Sequence, residues 1–238
     1  MYYEERMIYG GLQACSLIDF PGRVSCVLFL SGCNFACPYC HNPELASGRV
    51  PDGFQMDDGA VLRFLDARKG LLDGVVICGG EPTVQHGLEN LCRDIKSMGF
   101  AVKLDTNGGR PAVLARLVEE NLIDYIAMDV KTLPDHYPVY LGTETGGTAV
   151  VESIPVIIES GVGHEFRTTC VRPMVDAEAV ERIAGLLKGA DLYVLQKARE
   201  GRSLDPGFFD RKDRCIEESE LVGFKRTAES LVKKCVIR

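Results

Sequence analysis

Tryptophan is absent from this 238-residue chain, histidine occurs only four times, and basic residues are in deficit, 27 Lys and Arg against 34 Asp and Glu. The resulting formal charge of −7 excludes a phosphate backbone as main partner, because nucleic-acid binders carry a basic footprint. Apolar runs such as 27–30 and 75–78 fall far short of the roughly 20 residues of a membrane span, so no membrane role is expected. The opening residues, MYYEERMIYG, put charges where a secretory leader needs its apolar segment, and a cytosolic (cytoplasmic) protein is expected. That setting removes the disulfide reading of the ten cysteines, since cytosolic thiols stay reduced. Some cysteines are therefore ligands and the others core residues. What is present is ordinary globular composition, 46% hydrophobic with 10 Phe and 8 Tyr, enough for a full core.

Short β-branched runs alternate with helix-like segments, the pattern of parallel strands joined by crossover helices. Strands are expected at 24–30, 74–77, 101–104, 125–129, 165–169 and 192–195, with helices at 58–67, 88–97, 111–120, 149–160 and 177–187. Continuous apolar strands suit a parallel sheet covered on both faces. The fold class is therefore α/β, a partial (β/α)6 TIM-like barrel of parallel strands with outer helices, spanning 1–197. Residues 42–55 read as a loop. Residues 198–238 read as a C-terminal extension, a charged loop to 214 and a helix near 217–234. Ligands of such sheets sit beyond the C-terminal strand ends, so the chemistry is expected just after each run.

The first strand runs into Ser31-Gly32-Cys33-Asn34-Phe35-Ala36-Cys37-Pro38-Tyr39-Cys40, three cysteines at C-x3-C-x2-C spacing on a loop. Structural zinc would want four closed ligands, with His41 as the fourth, although adjacent residues chelate one ion poorly. A 4Fe-4S cluster held by three thiolates would instead leave one iron open to a non-protein ligand. With Tyr39 before the last cysteine, the motif resembles the signature of the radical S-adenosylmethionine (SAM) superfamily. The resemblance implies that Cys33, Cys37 and Cys40 hold a 4Fe-4S cluster and that the methionine amino and carboxylate groups of S-adenosylmethionine chelate the fourth iron, with Tyr39 on the cofactor side.

The second strand ends in Gly79-Gly80-Glu81, where glycines allow close backbone approach and a carboxylate can accept from an ammonium; the plain alternative is a turn with an exposed Glu. In the superfamily the matching segment contacts the methionine amino group. Lys103-Leu104-Asp105-Thr106-Asn107-Gly108 follows the third strand and Met128-Asp129-Val130-Lys131 the fourth. These are similar to segments of the glycyl radical enzyme activases, such as those serving pyruvate formate-lyase and anaerobic ribonucleoside-triphosphate reductase. The resemblance makes Asp105, Thr106 and Asp129 ligands of a monovalent cation and Lys131 a contact to the cofactor carboxylate. The alternatives are a helix cap at Asp105 or Asn107 and a surface salt bridge between Asp129 and Lys131. Arg167 resembles a cofactor-binding arginine, or is a core-edge arginine paired with Glu165 or another acid. Gln196 falls where the activases carry a polar residue near the adenosine.

Cys15, Cys26, Cys78, Cys92, Cys170, Cys215 and Cys235 lack partners at ligand spacing, and His86, His136 and His164 are isolated. The resemblance implies reductive cleavage of S-adenosylmethionine to a 5′-deoxyadenosyl radical that takes the α-hydrogen of a glycine on a partner, the anaerobic ribonucleotide reductase, with reduced flavodoxin or ferredoxin as electron donor. Two readings compete with it. One keeps the radical chemistry and changes the target to a small molecule or another protein; the other is a non-enzymatic iron–sulfur carrier or zinc-stapled binding module.

Overall fold

The structure is a computed structural model describing residues 7–50, 53, 54, 56–211 and 213–238. Most of the charged opening segment, and residues 51, 52 and 55 of the expected loop, lie outside the described residues.

Eight strands form one sheet in sequence order. β1 (Tyr9–Ser16) runs antiparallel to β2 (Ser25–Leu30), and every later pairing is parallel. A short α1 (Pro43–Ala46) and then α2 (Asp58–Asp66) lead to β3 (Gly74–Gly79). Next come α3 (Leu88–Ser97), β4 (Ala101–Thr106), α4 (Pro111–Glu119) and β5 (Tyr125–Asp129). A short α5 (Tyr137–Leu141) precedes α6 (Gly146–Glu159), β6 (Gly163–Cys170), α7 (Ala177–Leu186) and β7 (Tyr193–Lys197). The chain finishes with α8 (Glu218–Glu229) and β8 (Cys235–Ile237). Local chemistry marks the helix starts. Asp57 and Asp176 accept from Ala60 N and Ala179 N at 2.7 and 2.8 Å, and Pro111 opens α4, where the missing N–H costs no helical bond.

The parallel α/β half-barrel expected from the sequence is present, and it is larger than six strands. Residues 198–238 do not form an appendage: α8 packs on α7, and β8 pairs with β7 through Tyr193↔Cys235 to Leu195↔Ile237, extending the same sheet. Strand alternation divides the apolar runs between two faces. Cys26, Leu28, Leu30, Val75, Ile77, Val102, Leu104, Ile126 and Phe166 join the main core, which the helices cover. Val27 and Val76 point to the concave side, where Phe20 closes a second small cluster with Phe29, Cys78, Ala101 and Tyr125. Among the described residues no helix is long and apolar enough to cross a membrane.

Candidate active site

The cysteine loop leaves β2 and is pinned from several directions. Ser31 N donates to Ile8 O at 2.8 Å, Gly32 N to Leu45 O at 2.6 Å, and Ala36 N to Leu141 O at 2.9 Å. Phe35 meets Tyr137 edge-on at 5.6 Å. Residues 202–209 clasp the far end of the loop. Asp205 N donates to Pro38 O at 2.9 Å, Phe208 packs on Tyr39 at 6.1 Å, and His41 stacks on Phe209 while its Nδ1 lies 3.2 Å from Arg202 O. His41, which lines the same cavity as the three cysteines, thus has its Nδ1 engaged by this segment.

Cys33, Cys37 and Cys40 line one cavity of about 290 Å³ at the C-terminal ends of the strands. Among the described residues no three His, Cys, Asp or Glu side chains gather tightly enough to hold a single ion. A cubane asks for a different arrangement, with each thiolate on its own iron. Burial pushes the Cys37 thiol up to about 12, with Lys131 countering only in part, and burial also raises Cys33. Thiolates here therefore need the positive charge that cluster irons bring. Phe35 N and Asn107 Nδ2 aim at Cys33 Sγ from 3.4 and 3.7 Å, as donors that favour thiolate. Tyr39 Oη is buried on the same wall with no partner among the described residues, an orphan that a bound ligand can satisfy. The donor set fits a three-cysteine cluster with a ligand beside it.

Gly79 ends β3, and Gly80 and Glu81 carry its bonding to the neighbouring stretch of chain a step further. Gly80 N donates to Leu30 O and Glu81 N to Gly32 O, both at 2.8 Å. A Cβ on Gly79, whose φ is +126°, would stand 2.2 Å from Leu30 O, and one on Gly80 2.1 Å from Gly32 O. The glycines line the cavity, and the close approach they permit is to the backbone that carries the cysteines. Glu81 is fully buried, not the exposed turn residue of the plain reading. Its Oε1 accepts from Thr83 N, Thr83 Oγ1 and Thr106 Oγ1 at 3.1, 2.5 and 2.7 Å, and its Oε2 from Asn107 N at 2.6 Å. Burial raises its carboxyl, and the bonds from Thr83, Asn107 and Thr106 oppose the rise.

Asp105 and Asp129 face each other across Arg167. The guanidinium reaches Asp105 Oδ2 at 2.9 Å through Nη1 and Asp129 Oδ1 at 2.8 Å through Nε. Lys103 pairs with the other oxygen of Asp105, and Lys131 Nζ with that of Asp129 at 3.0 Å. Burial opposes charge on Asp129, yet Arg167 and Lys131 outweigh it and hold its carboxyl down at about 2. The same pairings hold Lys131 and Arg167 protonated against the burial that would discharge them. Arg167, Lys103 and Lys131 thus satisfy the two aspartates between them, and on the cavity wall Arg167 and Lys131 stand with Asp105, Asp129 and Glu81.

Of the residues expected to hold a cation, Asp105 and Asp129 pair with Arg167, Lys103 and Lys131 in the structure, and the Thr106 hydroxyl donates to Glu81. Neither Asp105 nor Asn107 caps α4, whose N-cap position is Arg110. The Asp129–Lys131 pair exists, on the cavity wall and not on the open surface. Gln196 lies outside the cavity lining, behind Thr169, whose hydroxyl donates to it at 3.4 Å and which itself lines the cavity. Sequence reasoning missed Lys103 and the bridging role of Asn107. Lys103 was signalled by its i, i+2 relation to Asp105, which puts both on one face of a strand.

The Radical SAM superfamily model matches residues 27–187. A Methanocaldococcus jannaschii protein named as a glycyl-radical enzyme activating enzyme is 35% identical over 238 aligned residues, covering 98% of this chain and 96% of the relative. The pyruvate formate-lyase-activating enzyme of Clostridium pasteurianum is 25% identical, covering 74% of each chain. Among solved structures, Streptococcus suis SuiB aligns with a TM-score of 0.63 at 14% identity over 87% of this chain; the chain spans about half of SuiB, 47%. At that identity the likeness concerns the fold. With three cysteines on the loop after β2 and a match that runs nearly end to end, the chain belongs to the radical SAM superfamily and groups there with the glycyl-radical enzyme activating enzymes.

Proposed function

We propose that this enzyme generates a glycyl radical on a partner protein, the anaerobic ribonucleoside-triphosphate reductase, using a 4Fe-4S cluster and S-adenosylmethionine. The observation that carries the reading is the convergence of Cys33, Cys37 and Cys40 with Glu81 and the Arg167–Lys131 wall on one cavity. The near full-length similarity to an activating enzyme supports the choice of a protein target.

When bound, cluster and cofactor supply a one-electron cleavage of the sulfonium and the hydrogen-abstracting radical that follows. The chain's own residues bind, orient and exclude. Cys33, Cys37 and Cys40 each hold one iron. Glu81, with an oxygen that accepts only from Asn107 N, takes the methionine ammonium. Lys131 and Arg167 take its carboxylate, and Tyr39 offers its hydroxyl to the ligand. Gly79 and Gly80 keep the ammonium site in register with the cysteine loop. Asp105 and Asp129, with Thr106 as a further ligand, would hold a monovalent cation at the oxygens that Arg167 takes in the structure. Gln196 is in reach of this wall only through Thr169.

Anaerobic reconstitution with iron and sulfide, followed by dithionite and S-adenosylmethionine, is expected to yield 5′-deoxyadenosine. Adding the anaerobic ribonucleotide reductase, with reduced flavodoxin or ferredoxin in place of dithionite, is expected to give a glycyl radical signal by electron spin resonance. No 5′-deoxyadenosine from a loaded cluster overturns the enzyme reading; 5′-deoxyadenosine without the signal moves the target to another protein or a small molecule.

A further inference from the structure

Beneath the cavity, the concave face holds a carboxylate that the chemistry above does not use. Glu165 stands two residues before Arg167 on β6, so both side chains point to the same side, Glu165 one layer deeper. It is 2% exposed. Its neighbours are Tyr125 Oη, donating from 3.5 Å, Arg167 Nη1 at 3.9 Å, and Arg238, whose two terminal nitrogens each lie 3.0 Å from one of its oxygens. Arg238 follows β8 and is fixed by the sheet: its N donates to Leu195 O at 3.0 Å and its O accepts from Lys197 N at 2.8 Å.

Arg167 therefore has three carboxylates within reach and binds two. Asp105 and Asp129 hold it at the cavity wall at 2.9 and 2.8 Å, while Glu165 is kept from competing by the fork of Arg238. A carboxylate so buried does not stay unpaired; without Arg238 the nearest cation able to neutralise it is Arg167. We infer that Arg238 is a positioning residue that acts through Glu165, holding Arg167 at the height of the cofactor carboxylate. The inference rests on the proposed role of Arg167 and adds the segment after β8 to the determinants of cofactor affinity.

The test is equilibrium dialysis of S-adenosylmethionine against the anaerobically reconstituted full chain, with the electron spin resonance spectrum of the reduced cluster recorded before and after addition. Arg238→Ala is expected to raise Kd about tenfold, equivalent to about 1.4 kcal/mol, and to weaken the spectral change at a fixed cofactor concentration. The double variant Glu165→Gln/Arg238→Ala removes the competing charge and is expected to return Kd to within about threefold of the parent, a rescue that a merely structural role would not give. Unchanged affinity in Arg238→Ala, or a loss that the second substitution does not repair, overturns the inference. Should Arg238→Ala fail to fold, Arg238→Lys keeps the charge without the fork; an intermediate Kd supports the proposal and parental affinity overturns it. A parent protein that loads its cluster and binds no S-adenosylmethionine would instead overturn the functional reading itself.

Discussion

The concave face of the half-barrel is divided. β2 and β3 contribute Val27, Phe29, Val76 and Cys78, gathered on Phe20. β4 to β6 contribute Lys103, Asp105, Asp129, Glu165 and Arg167, tied in ion pairs. The first half is held by dispersion and solvent exclusion, which are non-directional and tolerate small changes of shape. The second is held by charges whose removal leaves a partner stranded. The cysteine loop leaves the apolar half and Asp105, Asp129 and Arg167 of the ionic half line the same cavity, so the cavity lies on the border between a passive wall and a directional one.

The most damaging way to break this division is at the loop. Cys37→Ala is expected to abolish bound iron and turnover, checked by iron analysis and 5′-deoxyadenosine release; full iron content would refute the ligand assignment. Next comes Asp129→Asn, which strands Arg167 and Lys131 and is expected to cost about 3 kcal/mol in urea unfolding. Acid sharpens the same point. The Asp129 carboxyl is held at about 2 against an ordinary 3.8, so its stabilisation is fully present above pH 3.8 and is lost as pH falls through 2. That contribution is about 2 kcal/mol, and the parent is expected to lose that much more stability than Asp129→Asn between pH 5 and about pH 2. On the passive wall, Val76→Ala is expected to cost about 2 kcal/mol of stability while leaving S-adenosylmethionine affinity unchanged by dialysis. Ile18→Ser, at a position 88% exposed, is expected to shift unfolding by less than about 0.5 kcal/mol.

What was legible in the sequence follows the same border. Apolar runs announced β2 to β7, because strands buried on both faces have little room for polar residues, and the acids Glu81, Asp105 and Asp129 marked the ends of β3, β4 and β5 at the cavity. The cysteine spacing was legible because three ligands on one short loop depend little on the rest of the fold. β1 was hidden by Gly10-Gly11, which reads as a turn; the structure uses Gly10 because a Cβ there would stand 2.0 Å from Leu45 Cδ2. β8 is three residues long and carries no periodicity. Which cation serves Asp105 and Asp129 was illegible, since Arg167 is 62 residues from the first and 38 from the second and the pairing exists only once β4, β5 and β6 are side by side.

The clasp of residues 202–209 on the cysteine loop bears on how the protein is made. His41 meets the carbonyl of Arg202 across 161 residues of chain, a contact of very high sequence separation that forms late in folding. During synthesis the loop leaves the ribosome long before residues 202–209 do, so its thiols spend that interval without the clasp. The far wall of the cysteine loop is thereby completed only once residues 202–209 have folded against it, so a late part of the polypeptide shapes a site whose cysteines lie near its beginning.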